Sequence, residues 1–138
     1  MSAFSGIDIA NTGMGFNKYW LDTVSHNLAN ANTVRPGDEE PFRARVVVAQ
    51  QLGSEPFAEA GSGVAVGGVL EQEGDAPLVF APEHPLADEN GYVVRPVVDL
   101  AAQMTDLMVA QRSYQTNARS MQSSKEAYEA ALQIGQGR

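Results

Sequence analysis

An apolar side chain recurs every seven residues near each end of this chain, and no other sequence feature restricts the fold as strongly. In the N-terminal part these positions are Ile7, Met14, Leu21 and Leu28. The positions three residues later are apolar except for one asparagine: Ala10, Asn17, Val24 and Ala31. A heptad repeat keeps one stripe of a helix against a partner helix and implies supercoiled packing. We predict a long N-terminal helix within residues 1–35, capped by Ser5 and ended before Pro36.

The C-terminal part repeats the pattern. Its positions at intervals of seven are Leu100, Leu107, Tyr114, Met121 and Tyr128. The turns between them are filled by Met104, Ala110, Ala118, Ala131 and Leu132. Asp99 is a suitable N-cap, and Gly135 with Gly137 can end the helix. We therefore predict a helix of about 36 residues, roughly 54 Å long, within residues 99–138.

The middle of the chain differs from both ends. Three short valine-rich stretches, at residues 43–50, 62–71 and 91–98, are typical of strands and are separated by glycine and proline. Residues 88–91, Asp-Glu-Asn-Gly, resemble a hairpin loop with glycine at a positive φ. The predicted fold is mainly α with a β insertion: residues 1–35 and 99–138 pack as one coiled-coil-like helical hairpin around a β-rich insert at 36–98.

One helix pair cannot cover all the apolar surface of these ends. Several large side chains lie off the heptad positions: Phe4, Ile9, Phe16, Tyr19, Trp20, Met108 and Val109. Gly13 and Gly15 each cost about 0.8–1 kcal/mol relative to alanine inside a helix, which makes the N-terminal helix marginal alone. We hypothesise that the terminal helices fray in the monomer and become ordered on association.

Charge is concentrated in the insert. The net charge is −8, and residues 33–98 contain 11 acidic and 4 basic residues. Nearly neutral ends can pack against copies of themselves, and the few scattered basic residues make nucleic acid a poor partner. The sequence lacks both a run of about twenty apolar residues and the features of a cleavable signal peptide, so we expect no membrane insertion.

No motif for catalysis or cofactor binding is convincing. His26 and His84 have no neighbouring partner residues for base or metal chemistry, so both fit surface or capping roles. The loop at residues 88–91 lacks the ligand spacing of an EF-hand, and the glycines at 61–68 lack the lysine of a phosphate loop. We expect no enzyme activity, no metal and no cofactor.

Three asparagines, Asn27, Asn30 and Asn32, are clustered where the first helix should end. Asparagine competes for backbone hydrogen bonds, so the cluster indicates a helix stop or a surface that binds something else. The surrounding sequence, DTVSHNLANANTVRP at 22–36, resembles the N-terminal signature of the axial proteins of the bacterial flagellum. Three further stretches, at 81–100, 104–121 and 132–136, are similar to other parts of these proteins, and Asn-Thr-Val-Arg-Pro at 32–36 indicates a proximal rod member.

This resemblance implies a non-catalytic structural subunit of the proximal rod of the flagellar basal body, required for motility. Such a subunit is exported through the flagellar type III apparatus without a cleaved signal. It assembles helically in the periplasm with other rod proteins and copies of itself, and it transmits torque from motor to hook. Whether the acidic insert faces peptidoglycan, a bushing ring or other rod subunits stays open.

The apolar repeats and the amide cluster supply the candidate site. The predicted assembly interface consists of Ile7, Met14, Leu21, Val24, Leu28, Leu100, Met104, Leu107, Tyr114, Met121, Tyr128 and Leu132. Asn27, Asn30, Asn32 and Thr33 are predicted to fix the axial register between neighbouring subunits. The alternatives are another rod or hook-type axial protein, or a helical-hairpin adaptor that does not polymerise.

Overall fold

The computed structural model describes residues 3–53, 62–135 and 137, with the backbone alone for residues 3 and 4. In this described part, two helices flank five strands along the chain. In order, the elements are α1 (Ala3–Ala29), β1 (Arg35–Pro36), β2 (Arg45–Gln51), β3 (Val64–Glu71), β4 (Leu78–Phe80), β5 (Tyr92–Val94) and α2 (Leu100–Gly135). The prediction of a mainly helical protein with a small antiparallel sheet region is confirmed.

Helix α2 begins and ends where the sequence places it. It contains 36 residues and stops at Gly135. Asp99 is its N-cap: the carboxylate oxygen Oδ1 accepts hydrogen bonds from the backbone N–H groups of Ala101 (2.9 Å) and Ala102 (3.1 Å). These bonds satisfy two of the donors that the first turn of a helix leaves unpaired.

Helix α1 differs from its prediction at both ends. It already includes Ser5, so Ser5 lies inside the helix rather than capping it. Its last residue is Ala29, which leaves Ala31 outside the helix. The reason lies in Asn30. Its side-chain nitrogen Nδ2 donates to the backbone carbonyl oxygen of His26 (2.9 Å), and its backbone carbonyl oxygen accepts from the backbone N–H of Thr33 (3.0 Å). Both bonds favour a turn over another helical residue.

Within the described residues, five strands form two separate antiparallel sheets. The smaller strands pair in the order β1-β5-β4, while β2 and β3 form a two-stranded hairpin. The hairpin register extends from Arg45 opposite Glu71 to Gln51 opposite Val64, with an irregularity between Val48 and Ala49. The three predicted stretches contain β2, β3 and β5 except for the last residue of β2, and Gly91 has a φ of 81° as expected for the loop. The short strands β1 and β4 were not predicted.

Helix α1 is the element that joins the rest of the molecule. It packs against α2 and, on a neighbouring face, against both strands of the hairpin. At one end of the hairpin, the backbone of Arg45 is bonded to Asn27 of α1, and towards the other end the N–H of Val64 donates to Oγ1 of Thr12 (3.1 Å). The hairpin therefore lies along α1.

Candidate assembly interface

The contact between α1 and α2, here called the seam, is made of small and amide side chains at its closest points. Gly6 lies opposite Ser124 and Gly13 lies opposite Asn117. Towards the other end of the seam, Nδ2 of Asn27 donates to Oε1 of Gln103 at 2.8 Å. Positions that increase by sevens along α1 thus meet positions that decrease by sevens along α2. The two helices are antiparallel.

The polar side chains that α2 contributes to this seam are the residues that the sequence prediction missed. Gln103 and Ala110 are the buried residues of α2, whereas Met104, which was assigned to the turns of the apolar stripe, is 56% exposed. A stripe defined by apolar residues alone includes Met104 and excludes Gln103 beside it. The residues that lie three positions after Leu100, Leu107, Tyr114 and Met121 are Gln103, Ala110, Asn117 and Ser124. That spacing was the signal available in the sequence.

Asn27 occupies the corner where three elements meet. Its amide nitrogen donates to the carbonyl oxygen of Arg45 (2.8 Å) as well as to Gln103, and its oxygen Oδ1 accepts from the N–H of Arg45 (2.9 Å). The side chain thus pairs with the first residue of β2 as a neighbouring strand would. Asn27 has no solvent-exposed surface, so its amide fixes the register of α1, α2 and β2 within one chain.

The other residues of the amide cluster lie at the end of α1. Asn30 stabilises the turn that ends the helix, and its Oδ1 accepts a hydrogen bond from Oγ1 of Thr33 at 3.2 Å. Asn32 is exposed and Thr33 is half-buried. Of the four residues predicted to set the register, Asn32 is thus the most accessible to a neighbouring molecule.

The structure divides the predicted interface residues into two groups. Val24 is buried, and eight others are half-buried: Ile7, Met14, Leu21, Leu28, Leu107, Tyr114, Met121 and Tyr128. Leu100, Met104 and Leu132 are exposed, as are Met108 and Val109. Part of the apolar stripe is therefore covered within the chain, and another part is uncovered.

The groove between α1 and the hairpin does not have the composition of an active site. It is open to solvent, has a volume of about 440 Å³, and is lined by residues that include Tyr19, Asp22 and His26. His26 contacts the ring of Phe42 with centroids 5.5 Å apart, and Arg45 forms an exposed ion pair with Glu71 at 3.4 Å. Across the described residues, no group of three metal-ligating side chains occurs and no helix has the length and hydropathy of a membrane span.

Comparisons with known proteins agree with the resemblance noted from the sequence. Residues 89–134 match the family model for the C-terminal part of the flagellar basal body rod FlgEFG proteins. The flagellar basal-body rod protein FlgC of Salmonella typhimurium (strain LT2) is 38% identical over 99% of this chain and 100% of the relative. The FlgC proteins of Bacillus subtilis (strain 168) and Borreliella burgdorferi are 34% and 31% identical, again over at least 98% of each chain. The chain therefore belongs to the FlgC family of flagellar basal-body rod proteins.

Proposed function

We propose that this chain is a structural subunit of the proximal rod of the bacterial flagellar basal body, where it transmits torque from motor to hook. The observation that carries the proposal is the similarity to rod proteins along the whole chain, including both long helices and the insert. A rod protein of this kind is not an enzyme, and full-length similarity gives no support to the adaptor alternative. Stiffness in such an assembly comes from ordinary side-chain burial repeated in every subunit.

We propose that the chain consists of two structural units, a helical domain and a β-rich insert. Residues 1–35 and 99–138 form one helical domain that packs as a coiled-coil-like hairpin, and residues 36–98 form the β-rich insert. The antiparallel seam and the apolar residues at intervals of seven support the first unit. The concentration of acidic side chains in residues 33–98 separates the second unit from the nearly neutral helices. Neutral helical surfaces pack together without strong repulsion.

The exposed members of the predicted interface are the surfaces that would contact other subunits. Leu100, Met104 and Leu132 present apolar area with no cover from the described part of the chain. Contacts with other rod proteins and with further copies of this chain would remove that area from water, and Asn32 and Thr33 would supply polar contacts beside it. Assembly would take place in the periplasm after export through the flagellar type III apparatus.

The deciding experiment combines location with one matched pair of substitutions. A tagged chain should co-purify with basal bodies, and deletion of its gene should abolish swimming. Leu132→Asp should stop incorporation, because the charge would need desolvation in a subunit contact. Since Leu132 is 45% exposed, circular dichroism of the purified monomer should not change.

Gln133→Asp is the control, since it introduces the same charge at the next exposed residue of α2. It should incorporate better than Leu132→Asp. A swimming Leu132→Asp strain with normal rods would overturn the proposed interface, while absence of the tagged wild-type chain from basal bodies would overturn the rod assignment.

A further inference from the structure

The β2–β3 hairpin is apolar on both faces, and in the described part of the chain α1 packs against one of them, where Val69 is still 37% exposed. Its strands contain the continuous runs Val46–Ala49 and Val64–Leu70, with no polar side chain inside either run. A strand exposed on one side alternates apolar and polar residues, whereas a strand buried on both sides has a continuous apolar run. Val69 lines the groove against α1, and its partner Val47 lies on the same face. The opposite face therefore has the sequence of a buried surface but is largely exposed in the part of the chain that the structure describes.

That opposite face is here called the outer hairpin face and consists of Val46, Val48, Gly68 and Leu70. Val46 pairs with Leu70 and Val48 pairs with Gly68, so all four lie on one side of the hairpin. Val46, Val48 and Leu70 are 49%, 39% and 62% exposed. No heavy atom lies within 4 Å of the position where a Cβ of Gly68 would stand. The face is thus a shallow apolar depression bordered by larger side chains.

A second uncovered apolar surface lies on α2 and is here called the α2 ridge. Leu100, Met104 and Met108 follow each other at intervals of four residues and are 44%, 56% and 53% exposed. Side chains at intervals of four form a continuous ridge on a helix, and these three span about 12 Å. A ridge of this kind fits a groove in a partner surface. The depression at Gly68 offers such a groove.

We propose that the outer hairpin face of one molecule binds the α2 ridge of a second copy of this chain. The inference rests on the proposed assembly into a rod and adds a contact made by the insert. Within one chain the inner face of the hairpin already packs against a helix, and the outer face would take a helix in the same way. Because the two surfaces differ, the contact is heterologous, and its repetition builds an open assembly rather than a closed dimer.

Charge at the ends of the two surfaces favours this pairing. Arg112 follows Met108 by one further interval of four, so a positive charge ends the α2 ridge. At the end of the hairpin Glu71 is already paired with Arg45, but Glu73 and Asp75 follow it and line a shallow pocket with Arg43. Placing the arginine beside these acids would fix the direction of the helix across the hairpin. Two hairpins packed face to face would instead bring their acids together.

Cysteine cross-linking tests the contact directly, since the chain contains no cysteine of its own. Val48→Cys and Met104→Cys, combined in one chain, should give a ladder of cross-linked copies after mild oxidation of cells with assembled basal bodies. Neither single variant should form the ladder. Val48→Cys combined with Ser120→Cys is the matched control, because Ser120 is exposed on α2 but lies about 24 Å along the helix from Met104. This control should give no ladder.

Four results would overturn the inference. A dimer from Val48→Cys alone would show a face-to-face hairpin contact, and a cross-link to a protein of another mass would show a different occupant. Double-cysteine chains present in basal bodies without a ladder would remove the contact but leave the rod assignment intact. Loss of the wild-type chain from basal bodies would remove both proposals.

A charge pair gives an independent readout that does not depend on oxidation. Val48→Lys should abolish swimming, because it places a charge in an apolar contact. Met104→Glu in the same chain should restore swimming, since every contact would then contain one lysine and one glutamate. Absence of any restoration would contradict the pairing of these two positions.

Discussion

At the scale of single residues, the side chain of Asn27 in α1 forms the two backbone hydrogen bonds that a neighbouring strand would form with Arg45 of β2. Its amide joins the backbone of Arg45 to the side chain of Gln103. Asn27→Ala would leave the N–H of Arg45, the carbonyl oxygen of Arg45 and Oε1 of Gln103 without their partner. A buried unsatisfied group costs about 1–3 kcal/mol. We expect the free energy of unfolding to fall by that amount, measured by urea denaturation followed by circular dichroism. Asn32→Ala, at an exposed amide of the same cluster, should change it by less than about 0.5 kcal/mol.

The cluster of amides could be found in the sequence, but the role of each amide could not. Asn27, Asn30 and Asn32 have the same side chain and are separated by two or three residues. One is buried, one ends the helix and one is exposed, and these differences depend on the position of β2 and α2 in space. A side chain that pairs with a strand 18 residues away leaves no periodic signal in its own helix.

Gly13 and Gly15 look equivalent in the sequence and differ in the structure. A Cβ added at Gly13 would lie 2.7 Å from Nδ2 of Asn117, whereas nothing lies within 4 Å of a Cβ at Gly15. Gly15→Ala should therefore stabilise the protein by about 0.8–1 kcal/mol through helix propensity. Gly13→Ala should lose that gain, because Asn117 must move. Thermal unfolding of both variants measures the difference, and equal stabilisation would show that α1 and α2 do not approach closely in solution.

At the scale of elements, the N-cap of α2 can be tested separately from its packing. Oδ1 of Asp99 accepts two backbone hydrogen bonds at the start of the helix, and the residue is exposed. Asp99→Ala should lower the free energy of unfolding by about 0.5–2 kcal/mol. Asp99→Asn retains an oxygen acceptor and should lose less. The same loss in both variants would mean that the negative charge, rather than the acceptor, stabilises the helix end.

Elements with long sequence patterns were predicted accurately, whereas elements of two or three residues were not predicted. Five residues at intervals of seven and a cap at Asp99 define α2, and its observed bounds agree with the prediction. The strands β1 and β4 contain two and three residues, too few for any alternation to appear. Pro36 lies in β1, although proline disfavours a strand in most positions. Pairing with β5, which sequence patterns do not contain, is what makes these segments strands.

At the scale of the whole molecule, the unequal lengths of the helices predict a gradient of stability. Helix α1 has 27 residues and α2 has 36, and Asn27 meets Gln103 near the end of α1 and the start of α2. Because the helices are antiparallel, the C-terminal end of α2 extends past the start of α1 at Ala3. Residues 130–135 are all exposed. Local opening is easiest where a helix has few packing contacts. In dilute protein, backbone amides of residues 130–135 should exchange hydrogen fastest within α2, and those of residues 103–117 slowest.

Assembly should remove most of this gradient if the exposed end of α2 binds another subunit. Hydrogen exchange followed by mass spectrometry, on dilute protein and on purified basal bodies, measures both states. Residues 130–135 should gain protection in basal bodies, because contact with a neighbour covers Leu132 and Ile134, which are 45% and 78% exposed in the single chain. Residues 103–117 act as the internal reference, since the seam already covers Gln103 and Ala110. No gain at residues 130–135 in basal bodies would show that this end does not contact a neighbouring subunit, and equal protection along α2 in dilute protein would contradict the gradient itself.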